Sequence, residues 1–199
     1  MKYDRFKHHR RSIRLRGYDY SQAGYYFVTI CCYQRQLLFG EIVNSAMQLN
    51  QYGEIVENEW IKSSVIRPEI KLDEYIIMPN HFHGIVIINP VGAKGLSPLP
   101  SSSIPTHPSM KPRSLSSLMT GFKSAVTKKI NIIRNAPGTP VWQRNYYGAY
   151  KPRPSRARSA PHEHIIRNER SLNNIRQYII NNPLSWHVDQ LHPDNPSKW

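Results

Sequence analysis

The chain is short of cysteine, of long apolar runs and of acid, and each shortage narrows what it is. Cysteine occurs only as Cys31 and Cys32. Adjacent strand residues point to opposite faces, so a bond between these two would be strained, and neither a disulfide framework nor a CxxC metal pair is present. No apolar run approaches the ~18 residues of a membrane span. The basic start MKYDRFKHHRRS is not followed by the apolar stretch of a secretory leader. A cytoplasmic, bacterial-type location is therefore the expectation. Acid is scarce as well, with 13 Asp and Glu against 27 Lys and Arg and a formal charge of +14.

That charge is uneven. Residues 1–16 carry seven Lys/Arg against Asp4 alone, and residues 91–113 and 149–161 carry three and four with no acid between them. A basic balance favours polyanions, because neutralised phosphates release counterions. Nucleic acid is the first candidate. Solvated, unselective tails are an alternative, and an anionic membrane surface is another, although no stretch forms the aromatic-faced amphipathic helix of a surface binder.

At 199 residues with 39% apolar content, the chain suits one domain with flexible segments. We expect a basic arm at 1–16, a single domain at 17–186 with loops at 90–113 and 149–161, and a tail at 187–199. YYFVTICC at 25–32 reads as a central strand buried on both faces. LLFGEIV and MQLN, within 36–49, read as a hairpin turning at Asn44-Ser45. A helix over 51–64 starts from an Asn50 cap. Strands follow at 70–78 and 81–88 around a Pro79-Asn80 corner.

The six prolines and five serines of 90–113 read as a loop. Ser114 or Ser116 then caps a helix to Ile133 with a stripe of Leu115, Leu118, Phe122, Val126, Ile130 and Ile133. Its other face offers Lys123, Lys128 and Lys129, with Arg134 nearby and no acid to offset them. VWQRNYYG at 141–148 can form the next strand, and a last helix runs over 169–182 to Pro183. There is no internal repeat. Strand, helix, strand, strand, helix, strand, helix is the order of a ferredoxin-like α+β sandwich, an antiparallel sheet covered by helices.

Two constellations stand out. In IIMPNHFHGIVII, His81 and His83 are two residues apart on a strand, so both rings face one side and can meet one cation or one phosphate, while Phe82 faces the other. Core histidines satisfied by backbone, or polar positions on an edge strand, are the plainer alternatives. On the final helix, Tyr178 and Asn182 stand at i and i+4 on one face, at the border of a stripe of Leu172, Ile175 and Ile179. A tyrosine at the rim of a core is the alternative there. Weaker candidates are His162-Glu163-His164, read as the start of a turn or helix, and Tyr146-Tyr147, which suit base stacking or plain sheet packing. Arg10, Arg11, Arg14 and Arg16 form a basic arm suited to a DNA backbone or minor groove, or a solvated tail.

MPNHFHGI resembles the HUH motif, histidine-hydrophobic-histidine, of single-tyrosine transposases that mobilise small bacterial insertion sequences as single-stranded DNA. The chain is most similar to REP-associated tyrosine transposases. RSIRL, DYSQAGYYFVTI, FGEIV, MPNHFHGI, SLSSLMTGFKSAVTK, WQRNYY, HIIRNERSL and IRQYIINNP stand in the family's order over residues 11–183. The resemblance implies a ferredoxin-like, RRM-like core. It implies that His81 and His83 bind a divalent metal, Mg or Mn, that Tyr178 is the nucleophile, and that Asn182 completes the metal site.

It further implies single-stranded DNA with hairpin-forming ends as substrate, cleaved and rejoined through a 5′-phosphotyrosine, and a nucleoid-associated protein acting as monomer or homodimer. Lys123, Lys128 and Lys129, with Arg11, Arg14 and Arg16, would lie near DNA. One cation held by two imidazoles and an amide oxygen suits this chemistry, because it neutralises the scissile phosphate and the leaving 3′ oxygen. A non-cutting single-stranded DNA or RNA binding module is the main alternative, and a nuclease using water, with Tyr178 structural, is another. The chain departs from the family in GAYKPRPSRARSAPH, which interrupts the junction before His164, and in the length of 90–113.

Overall fold

The structure, a computed structural model, describes residues 18–89, 111–143 and 163–195. Eleven elements alternate along it. Strand β1 covers Gly24–Cys31, a ribbon follows as β2 (Gly40–Val43) and β3 (Ala46–Leu49), and helix α1 covers Gln51–Ile66. Strands β4 (Ile70–Met78) and β5 (His81–Ile88) precede α2 (Leu115–Ile133), β6 (Glu163–Ile166) and α3 (Glu169–Ile180). Short 3-10 turns lie at Tyr33–Arg35 and Pro183–Val188. The main sheet has the order β4-β5-β1-β6, and each neighbouring pair is antiparallel.

Local chemistry explains most boundaries. Asn50 accepts from the backbone N–H of Tyr52 at 2.9 Å and of Gly53 at 3.1 Å, satisfying two of the donors that a helix start leaves open. Ser114 and Ser117 form a reciprocal capping box on α2. The β2–β3 turn puts Asn44 and Ser45 at φ 50 and 61, the left-handed pair that a two-residue hairpin needs.

The sheet is buried on both sides. One face, with Val28, Ile30, Phe82 and Val86, packs under α1 and α2, and Trp60 stands 4.6 Å from Phe82 and 5.3 Å from Phe122 between ring centroids. The other face carries a smaller core of Phe27, Ile85, Ile166, Leu172 and Ile179 beneath α3.

Four expectations need correction. The fourth sheet strand is Glu163–Ile166, which pairs with β1, so His164 opens neither a turn nor a helix. Within 141–148, Trp142 makes a single bridge to Cys32, and residues 144–148 lie outside the described residues. Helix α3 ends at Ile180 rather than 182, because Asn181 caps it and Pro183 starts a tighter turn. Ile133 leaves the α2 stripe and is 44% exposed.

The lysine face of α2 is also not free of acid. Lys129 Nζ lies 2.5 Å from Oε1 of buried Glu59 on the neighbouring α1. Arg134 is spent on the end of its own helix, donating to Asn131 Oδ1 and the Thr139 carbonyl, both at 2.9 Å. In the tail, Leu191 is buried and its carbonyl accepts from Asn80 Nδ2 at 2.7 Å.

Gly84 tests the larger core. A Cβ there would sit 2.8 Å from both Phe82 Cζ and Trp60 Cζ2, so Gly84→Ala should destabilise the domain by about 1–3 kcal/mol through overpacking. Urea unfolding reads this, and an unchanged midpoint would mean that the two rings have room to move.

Candidate active site

The site grows from the register of β1 on β5, which sets Thr29 opposite His83 and Cys31 opposite His81. The two-residue period of the strand sends both imidazoles to the α3 face and Phe82 into the other core. His81 and His83 are 0% and 2% exposed, with ring centroids 4.6 Å apart. Burial, and secondarily the neighbouring His83, holds the His81 pKa well below the ordinary imidazole value, with Asn182 opposing.

Asn80 decides the chemistry of His81. Its Nδ2 donates to the carbonyl of Leu191 at 2.7 Å and of Arg35 at 3.4 Å. Carbonyls accept only, so the amide is fixed with Oδ1 toward His81 Nδ1, 2.8 Å away. Nδ1 therefore carries the proton and donates. In the neutral ring Nε2 is left with a lone pair, and that atom is buried without a hydrogen-bond partner.

His83 is held from both ends. Its Nδ1 lies 2.8 Å from Thr29 Oγ1, and its Nε2 lies 3.2 Å from Tyr178 Oη, a contact across 95 residues of chain. Phe27 stacks on His83 at 5.3 Å and meets Tyr178 edge-on at 6.1 Å. The Tyr178 ring is 42% exposed, but its hydroxyl points inward. Burial first, and the charge of Asp189 second, push the phenol pKa up to about 12, with Asn182 opposing.

Asn182 is 2% exposed. Its Nδ2 donates a long bond of 3.5 Å to Asp189 Oδ2, and its Oδ1 is buried without a partner. Asp189 is tied in turn by the Leu191 N–H, 2.6 Å from Oδ1, and burial raises its carboxyl pKa. Two orphaned acceptors, His81 Nε2 and Asn182 Oδ1, thus accompany His83 and Tyr178. Among the described residues no group of three or more His, Cys, Asp and Glu could hold a metal ion, so a cation site here depends on the neutral amide. Nitrogen and oxygen donors of this kind fit Mn and tolerate Mg.

His81, His83, Tyr178 and Asn182 therefore come together. Lys128 and Lys129 do not join them: α2 packs with α1 on the opposite face of the sheet. Lys128 and Lys129 are exposed there, whereas the charge of Lys123 reaches Cys31. Arg11, Arg14 and Arg16, with Arg10, Tyr146, Tyr147 and His162, lie outside the described residues. Thr29, Asn80 and Asp189 escaped the sequence reading. Asn80 carried a signal as the turn residue beside His81, but the partners of Thr29 and Asp189 depend on strand register and on the return of the tail.

The architecture is a mixed α+β one with an antiparallel sheet, and its fold is similar to that of a REP-associated tyrosine transposase solved bound to a REP hairpin. That similarity has a TM-score of 0.51 at 18% identity, covering 94% of this chain and 91% of that one. No protein-family model matches the chain. It belongs to the same family as an uncharacterized protein of Haemophilus influenzae, with 41% identity over 194 residues, 97% of this chain and 98% of its relative. No described helix is long and apolar enough to cross a membrane.

The His83 anchor has a measurable cost. Thr29→Val keeps the shape but leaves the buried Nδ1 without its partner, and should destabilise the protein by about 1–3 kcal/mol. Chemical denaturation checks it, and a loss below the error of the fit would show that Thr29 is not needed.

Proposed function

We propose that this chain is a metal-dependent tyrosine transposase that cleaves and rejoins single-stranded DNA at hairpin-forming ends. The observation that carries the reading is the 3.2 Å contact of Tyr178 Oη with His83 Nε2, beside two buried acceptors with no partner. The strand order supports a ferredoxin-like core with Tyr178 on the helix laid across it. The REP hairpin held by the structural neighbour supports a DNA hairpin as substrate.

His81 Nε2, Asn182 Oδ1 and His83 Nε2, the last in place of its contact with Tyr178 Oη, would hold the Mg or Mn ion, which when bound neutralises the scissile phosphate and stabilises the departing 3′ oxygen. Thr29 and Asn80 hold the rings from behind, as outer-shell partners of ligating histidines do. Asp189 holds the Asn182 amide. Burial raises the Tyr178 phenol pKa further above neutral pH, so its proton must leave as the attack on phosphorus proceeds. Tyr178 Oη then attacks phosphorus in line, the bond from phosphorus to the 3′ oxygen breaks, and the 5′ phosphate stays on the tyrosine. Attack by the freed 3′-OH, or by another strand's 3′-OH, reverses the step without ATP. Arg11, Arg14 and Arg16 would grip the hairpin backbone. Lys128 and Lys129 are reached only if DNA wraps to the other side of the sheet, whereas the charge of Lys123 reaches Cys31 beside the site.

Labelled hairpins with single-stranded flanks, incubated with Mn, should give a covalent adduct on a denaturing gel and a free 3′-OH. EDTA and Tyr178→Phe should each abolish both products, with hairpin binding by the variant essentially unchanged. Cleavage retained by Tyr178→Phe without adduct would instead establish water as the nucleophile. Binding that survives EDTA, with no cleavage by the wild type, would establish a binding module.

Asn80→Ala should weaken Mn binding by about 10–100-fold, the usual consequence of losing an outer-shell partner. Titration calorimetry measures it, and wild-type affinity in the variant would refute the assigned tautomer.

A further inference from the structure

Helix α3 is twelve residues long and rests on the smaller of the two cores, so apolar packing constrains its rotation weakly. A second constraint comes from β4. Its register on β5 slips between Leu72 and Tyr75, so that Asp73 and Glu74 together stand opposite Ile85. Such a bulge bends a strand and re-aims a side chain. Here the re-aimed residue is Asp73, whose side chain is only 12% exposed and grips Arg176 of α3. Arg176 Nε donates to Oδ1 at 3.0 Å and Nη2 to Oδ2 at 2.6 Å, a two-pronged bond. Both partners are braced: the Glu74 N–H lies 2.7 Å from Asp73 Oδ1, and Arg176 Nη1 donates to Asn173 Oδ1 at 3.0 Å.

The geometry around the helix gives this pair a use. At ~100° per residue, Arg176 and Tyr178 flank the buried stripe on opposite sides. One flank is fastened to β4 by the ion pair, and the other meets His83 on β5. A small rotation of α3 becomes a displacement of ångström scale at the tyrosine hydroxyl.

We infer that the Asp73–Arg176 pair, aimed by the β4 bulge, sets the rotation of α3 and so positions Tyr178 against His83. Its consequence for catalysis rests on the proposed role of Tyr178, while the positioning itself is separately measurable. Arg176 and Asp73 are positioning residues, because neither touches the reacting atoms.

Arg176→Lys keeps the charge and removes the fork. In single-turnover assays with Mn and a hairpin substrate it should slow adduct formation by about 100-fold, the scale of a 1 Å misplacement, with DNA affinity unchanged. The exchanged pair, Asp73→Arg with Arg176→Asp, should recover much of the rate. Without DNA, hydrogen–deuterium exchange should rise across residues 169–182 in Arg176→Lys and in Asp73→Asn, while α1 keeps its protection.

Unchanged exchange in α3 in both variants would overturn the inference. So would a parallel rise in α1, which would make the pair a stabiliser of the whole domain. If the wild-type protein forms no adduct, the phosphotyrosine reading fails, and the exchange data still decide whether the pair holds α3.

Discussion

Two imidazoles buried in the middle of a β-sheet are the constraint around which this domain is arranged. Strand β5 is covered on both faces, and its alternation commits Phe82 to one core and the histidines to the other. A histidine with no carboxylate to pair with is buried at least cost when it is neutral and hydrogen-bonded. Thr29 and Asn80 meet the inner nitrogens, Phe27 stacks on the ring of His83, and Tyr178 meets its outer nitrogen. His81 Nε2 is the group these contacts leave unanswered.

The electrostatics of the pocket follow from the same burial. It disfavours the charged forms of His81, Tyr178 and Asp189, lowering the first pKa and raising the other two. Neutral imidazole and amide donors offer lone pairs to a cation without supplying compensating negative charge. Under the proposed function, such a pocket holds its nucleophile as a neutral phenol. The outer parts of the fold serve the same point, since the tail returns to Asn80 through Leu191 and the β4 bulge fastens α3 through Arg176.

Much of the fold was legible because its signals are local. Asn50, Ser114 and the Pro79-Asn80 corner mark boundaries within a residue or two of where they occur, and the β4 and β5 spans were read as they stand. β6 was not legible. Four residues after an insertion carry too little alternation to outweigh VWQRNYYG, whose aromatics look more like a strand than EHII does.

The same limit applies at the site. His81, His83, Tyr178 and Asn182 announce themselves by spacing, but Thr29 depends on the pairing of strands joined through a long excursion, and Asp189 on a tail that folds back. The lysine face of α2 was misjudged for a related reason: a helix read alone does not reveal Glu59 on its neighbour, nor which side of the sheet it will cover.

The central claim is that Tyr178, rather than any other of the chain's 12 tyrosines, bonds to DNA at the histidine pair. Mass spectrometry of the nuclease-digested adduct tests it directly. The account requires the residual 5′-phosphorylated nucleotide on the peptide that contains Tyr178. The same modification on another tyrosine, or an active protein that cleaves DNA with no modified peptide, would contradict it.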